Sequence, residues 1–118
     1  TSGNVNIGTI AGATGYKLSV NGKIIGTEVK VQMASNWPDY VFHEEYDLMP
    51  MDKLSSFISE NKHLPGIPSA KEVAEDEGIE LGEMQRRTIE KLEELTLYIL
   101  ELKKENDALK NRIDALEK

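Results

Sequence analysis

The chain carries two imidazoles, His43 and His63, and they are the first places to look for chemistry. His43 opens the run His43-Glu44-Glu45, with Asp39 and Asp47 close by, residue types that can hold a divalent cation. The spacing argues against it. Zinc and related sites bring ligands back to one face, as in a helical His-x-x-x-His pair, and no such repeat occurs. His43 therefore reads as a surface histidine in an acidic stretch. His63 precedes a proline-pinned turn and reads as a side chain that orients itself by a hydrogen bond to backbone. There is no cysteine, which removes disulfides, thiolate metal sites and a cysteine nucleophile. No Gly-x-Gly-x-x-Gly, P-loop or Gly-x-Ser-x-Gly pattern is found. Carboxylate pairs such as Glu44 and Glu45 point in neighbouring directions with no pocket to frame them. No catalytic, cofactor-binding or metal-binding residue is assigned, and the chain is expected not to be an enzyme.

Aromatic chemistry is the remaining candidate. Trp37, Tyr40 and Phe42 crowd into one hexapeptide, Trp37-Pro38-Asp39-Tyr40-Val41-Phe42. Exposed, they could stack against a sugar or contact a host surface protein. Buried, they would form the small core that joins strands to helices, which is the commoner fate of such a cluster.

Those residues must be positioned by elements, and charge divides the chain into three. The net charge of −7 is +2 over residues 1–35, −8 over 36–80 and −1 over 81–118. No basic patch supplies the electrostatic footprint that nucleic acid needs. A leucine-zipper transcription factor would require a basic region ahead of its heptads. Here only Arg86 and Arg87 stand there, beside Glu83 and Glu90. No run of 18 apolar residues exists, so no membrane insertion is expected. The chain opens Thr-Ser-Gly without methionine and reads as a fragment or a processed product.

Residues 1–35 hold six of the nine glycines. Val5 and Ile7, Leu18 and Val20, then Val29, Val31 and Met33 alternate with polar neighbours, the period of half-buried strands. Asn21-Gly22, between two of these runs, is a strong hairpin signal. Two or three such strands cannot hold a sheet alone and need partners.

Residues 36–80 read as a connector with short helices. Leu54, Phe57 and Ile58 at helical spacing predict a helix over roughly 51–61. In His63-Leu64-Pro65-Gly66-Ile67-Pro68 the two prolines forbid helix and fix a kinked path. Ser69-Ala70-Lys71-Glu72 has capping-box spacing, predicting a short helix that stops near a left-handed Gly78.

Residues 81–118 lack proline, and their apolar residues step three, four, three, four. With Leu92, Ile99, Asn106 and Ile113 at heptad position a, Leu95, Leu102, Leu109 and Leu116 fall at d. In a parallel coil Glu105 at g faces Lys110 of the next chain, and Arg112 faces Glu117, both attractive. A coiled-coil seam between copies of this chain is expected along these eight residues. Upstream, Leu81 and Gln85 continue the seam, while Ile89, Thr96 and Tyr98 widen its apolar stripe. The heptads alone leave two and three strands open, because a buried Asn at a suits dimers and a wide stripe suits more helices.

Asn4-Val5-Asn6-Ile7-Gly8-Thr9 followed by Gly15-Tyr16-Lys17-Leu18-Ser19-Val20-Asn21-Gly22 resembles the NVGIGT…YKLDVNG segments of phage tail fibres and related bacterial surface proteins. The Trp37–Phe42 segment, the run His63-Leu64-Pro65-Gly66-Ile67-Pro68-Ser69-Ala70, Leu81-Gly82-Glu83-Met84 and Glu93-Glu94-Leu95-Thr96-Leu97-Tyr98 resemble the C-terminal region of tail-fibre-domain proteins of the Bacteroidota type. The departures are Asn6, where glycine is usual, and Ser19, where aspartate is usual. The resemblance implies a homotrimer and an α+β fold: intertwined, β-prism-like strands over 1–35, a helical connector over 36–80 and a parallel coiled coil over 81–118. It implies a structural registration module at the end of a fibre, in a virion tail or on a bacterial surface. A fibre tip that binds a host glycan or protein through Trp37 is the alternative. Some such fibres end in an endosialidase-type chaperone that cuts itself with a serine, an aspartate and a lysine. No Ser-Asp pair is present to carry that cleavage, which leaves open a chaperone-like role in assembly without it.

Overall fold

The computed structural model describes residues 3–9, 11–33 and 36–117. The chain divides into two compact units, residues 1–31 and 32–118. It mixes helix with a small two-stranded parallel sheet, and a single long helix dominates its C-terminal part.

In the first unit β1 (Val5–Ile7) and β2 (Leu18–Val20) pair in parallel, Val5 with Leu18, Asn6 with Ser19 and Ile7 with Val20. The pairing is extended at both ends, where the Val5 amide donates to the Lys17 carbonyl at 2.7 Å and the Asn21 amide to Ile7 at 2.9 Å. Parallel strands usually need a crossover of a dozen or more residues. Only ten residues separate these strands, and two of them, Gly12 and Ala13, lie against strand side chains. A β-carbon on Gly12 would lie 2.2 Å from Asn6 Oδ1 and 3.0 Å from Ser19 Oγ, so no larger residue fits without displacing them. Ser19 Oγ in turn accepts the Ala13 amide at 3.0 Å. Asn6 and Ser19, the two departures from the fibre pattern, are thus register partners that hold the same loop.

Two expectations for this unit are corrected. Asn21-Gly22 does not turn a hairpin. Its asparagine is recruited to the end of β1, with the amide on Ile7 and Nδ2 donating to the Gly8 carbonyl at 3.3 Å, so it is not available to reverse the chain. Val29, Val31 and Met33 form no strand, and with no edge paired to them Val29 and Val31 stay exposed. Val5, Ile7 and Leu18 are also about half exposed.

The second unit begins with a 3-10 helix, Pro38–Phe42, started by the fixed φ of Pro38 and closed by the His43 amide on the Tyr40 carbonyl at 3.1 Å. Its Pro38 and Val41 are buried, Val41 to 1% exposure, and they are the core of this unit. α1 (Met51–Asn61) follows where Leu54, Phe57 and Ile58 predict it, and ends on Lys62 in the left-handed region at φ 61°. His63 Nδ1 donates to the Leu64 carbonyl at 2.9 Å, and its ring meets Phe57 edge-on. Leu64-Pro65-Gly66-Ile67 is a type II turn, with the Ile67 amide on the Leu64 carbonyl at 3.1 Å. Its third residue needs positive φ, and Gly66 supplies +79°.

α2 (Ala70–Glu75) starts with the expected reciprocal cap. Ser69 Oγ accepts from the Glu72 amide at 3.1 Å, and the Glu72 carboxylate accepts the Ser69 amide at 3.2 Å, which also holds the Glu72 pKa below the ordinary value. At its other end the left-handed residue is Glu77 (φ 58°), one before the expected Gly78. The Glu77 amide reaches Ala74 and the Gly78 amide reaches Val73, the paired bonds of a Schellman stop. α3 (Leu81–Leu116) then runs unbroken for 36 residues, about 54 Å at 1.5 Å per residue. Among the described residues no helix is long and apolar enough to cross a membrane.

Candidate oligomer interface on the long helix

The heptad assignment sorts the surface of α3 into faces, and the connector uses only some of them. Tyr40 in the 3-10 helix donates its hydroxyl proton to the Glu90 carboxylate, at position f. Arg86, at b, reaches the same hydroxyl at 3.0 Å. Tyr46 donates to Glu94, at c. Tyr98, at g, donates to the Met49 carbonyl at 2.5 Å, and Arg87, at c, donates to the Gly66 carbonyl at 3.2 Å. The segment from Tyr40 to Gly66 therefore wraps α3 from b through f and c to g. Positions a and d are left free.

Charge knits the covered face together. Glu83 holds Arg86 at 2.5 Å and Arg87 at 3.1 Å, Arg86 lies 3.6 Å from Glu90, and Lys91 bridges Glu90 at 3.6 Å and Glu94 at 2.8 Å. The two guanidiniums pull the Glu83 pKa down to about 2, and the hydrogen bonds to Glu83 raise that of Arg86. Removal from water, with the carboxylates beside them, pushes the hydroxyls of Tyr40 and Tyr46 upward. Tyr98 is raised by the same desolvation and by the nearby charges of Glu94 and Glu101. A neutral tyrosine donating to an ionised carboxylate is the stable state of these contacts. Exposed ion pairs contribute little alone. Here the side chains of Glu90, Lys91 and Glu94 are largely covered, and each of the two carboxylates also accepts a tyrosine hydroxyl.

The opposite face is bare. Leu92, Leu95, Ile99, Leu102, Leu109, Ile113 and Leu116 each keep more than half of their surface in solvent, and Asn106 between them is also exposed. At its upper end the seam opens sideways into an apolar groove of about 420 Å³. Met49, Leu54, Leu64 and Pro65 form the connector wall, and Leu92, Leu95 and Tyr98 form the helix wall.

The aromatic cluster splits. Tyr40 is committed to α3, whereas Trp37 and Phe42 remain 54% and 52% exposed. The core residues of this segment are instead Pro38 and Val41, which their aromatic neighbours overshadow in the sequence. Tyr46 and its contact with Glu94 went unseen in the sequence. The one available signal is that Glu90 and Glu94 lie one helical turn apart on the side away from the seam. The His43 side chain is exposed, and only its backbone has a structural task. No group of three or more His, Asp or Glu among the described residues is arranged to hold a metal ion. Compared with protein-family models, with curated proteins and with solved structures, the chain matches none.

Proposed function

We propose that the chain is a structural trimerisation and registration module at the C-terminal end of a phage tail fibre or bacterial surface fibre. One observation carries the self-association: the connector is clasped to b, f, c and g of α3, while a seam of seven aliphatic residues at a and d stays open to water. Covering the exposed half of one leucine or isoleucine releases roughly 1 kcal/mol, and the seam offers seven per chain. A second copy of the same helix matches its period and its length, and charges at e and g favour the parallel sense. The number three and the fibre setting rest on the resemblance of the strand, connector and helix segments to tail-fibre proteins. Parallel helices would bring three chains into register. The half-exposed β1–β2 pairs, too small to persist alone, would then pack on one another at reduced entropic cost. The role involves no reaction and no cofactor.

Ile99→Asp or Leu102→Asp places a charge in the seam. Light scattering should then report single chains, and circular dichroism should show lost β-structure. A mutant that stays a folded monomer with its strands intact overturns the proposal.

The exposure of Trp37 and Phe42 favours a second reading, a fibre tip that stacks these rings on a host glycan or surface protein. It expects saturable glycan binding that vanishes in Trp37→Ala while the oligomer persists. Absence of binding across a broad glycan array and host cells counts against it.

A further inference from the structure

The groove beside the seam calls for an occupant, and three features converge on one. Two of its wall residues, Leu92 and Leu95, are themselves seam positions a and d, so whatever covers the seam also covers the groove. The groove opens on the g side of α3, marked by Tyr98, and in a parallel coil the g side of one helix meets the e side of the next. The e residues change character at its boundary. Level with the groove they are Ile89 and Thr96, which carry no charge; beyond it they are Lys103, Lys110 and Glu117. Of the g residues that line the groove, Tyr98 is uncharged and Lys91 is paired within its own chain with Glu90 and Glu94. Beyond the groove, Glu105 and Arg112 present charges opposite to Lys110 and Glu117 of a neighbouring copy. A largely apolar groove thus meets uncharged e residues, and the charged g residues beyond it meet opposite charges.

We propose that the groove is an intersubunit socket for a second copy of this chain, filled by the e flank of the neighbouring α3 at Ile89 and Thr96. This rests on the parallel coiled-coil reading and deepens it. The connector is then more than a sleeve on the outside of the bundle. Leu54 and Leu64 form part of the interface, and the contact runs head-to-tail, the socket of each copy taking the flank of the next. Such a contact closes on itself in a ring of copies, three of them in the trimer proposed above.

The absence of native cysteine makes the contact directly measurable. One chain carries Leu54→Cys or, independently, Leu64→Cys; a differently tagged chain carries Thr96→Cys. The two are mixed, refolded together and treated with a short bis-maleimide. The expected result is a crosslinked product bearing both tags from either wall position, and at least five-fold less when Lys104→Cys, on the far face, replaces Thr96→Cys. A homotypic Leu109→Cys chain reports the seam separately. Seam crosslinking without any socket crosslink from either wall position overturns the socket and leaves the coiled coil standing. Failure of both, with single-chain mass by light scattering, overturns the coiled coil and the socket together.

Discussion

The hydroxyl of Tyr46 donates to the carboxylate of Glu94, forty-eight residues further along the chain, and ties the connector to the face of α3 that points away from the seam. Glu94 also receives Lys91 at 2.8 Å, so one carboxylate serves a phenol and an ammonium. In the heptad assignment Glu94 falls at c, a polar position, and that polarity serves the protein's own connector.

The first prediction concerns this contact. Tyr46→Phe, Glu94→Gln and the double variant form a cycle whose coupling should be about 1.5 kcal/mol, the lower range for a hydrogen bond to a charged group. Urea unfolding followed by near-ultraviolet circular dichroism measures it. Coupling near zero would mean that Tyr46 is held by packing alone.

Alkaline pH should loosen the same clasp. Tyr40, Tyr46 and Tyr98 all have pKa values raised above the ordinary 10, so the folded state holds their protons more tightly than the unfolded chain. Their stabilisation is complete below pH 10 and is lost as pH climbs from 10 towards the folded values. Absorbance of tyrosinate should show Tyr40, Tyr46 and Tyr98 ionising above pH 10, together with loss of near-ultraviolet signal. Ionisation of these three near pH 10 would contradict it.

Local structure was legible wherever a few adjacent residues decide it. Leu54, Phe57 and Ile58 place α1, and Ser69 with Glu72 caps α2, because the relevant bonds span one turn. Asn21-Gly22 misled because a distant strand end competed for the asparagine. Gly78 was one residue late because its amide, not its φ, closes the Schellman stop, and Glu77 takes the left-handed position. The clasps from Tyr40 and Tyr46 to α3 were illegible, since nothing local in either segment names a partner nearly fifty residues away. The aliphatic stripe from Leu92 to Leu116 is readable from period alone, yet only the structure shows that the connector leaves it exposed.

The turn that builds the groove wall should be sensitive at Gly66. Its φ of +79° is strained for any residue with a β-carbon, and a β-carbon there would also touch Lys91 Cε at 3.6 Å. Gly66→Ala should cost about 1–2 kcal/mol, and Ser69→Ala about 1 kcal/mol through the lost cap. Thermal unfolding of the two variants checks both. Unchanged stability in Gly66→Ala would show that the turn relaxes to another conformation.

Asn106 is the one polar residue among the eight positions of the proposed seam from Leu92 to Leu116, and its replacement should separate stability from specificity. Asn106→Leu adds an apolar layer and should raise the melting temperature of the oligomer while broadening its mass distribution, because a buried polar residue at a restricts register and strand number. A more stable oligomer of unchanged, single mass would show that the socket and the flanking charges set the number without it.

The most direct test of the central claim is the mass of the unmodified protein by sedimentation equilibrium. One chain weighs 13.2 kDa. A parallel three-helix bundle requires a single species of three times that mass, independent of loading concentration over the micromolar range. Twice that mass would retain the seam and refute the trimer. The mass of one chain would contradict self-association through α3 altogether.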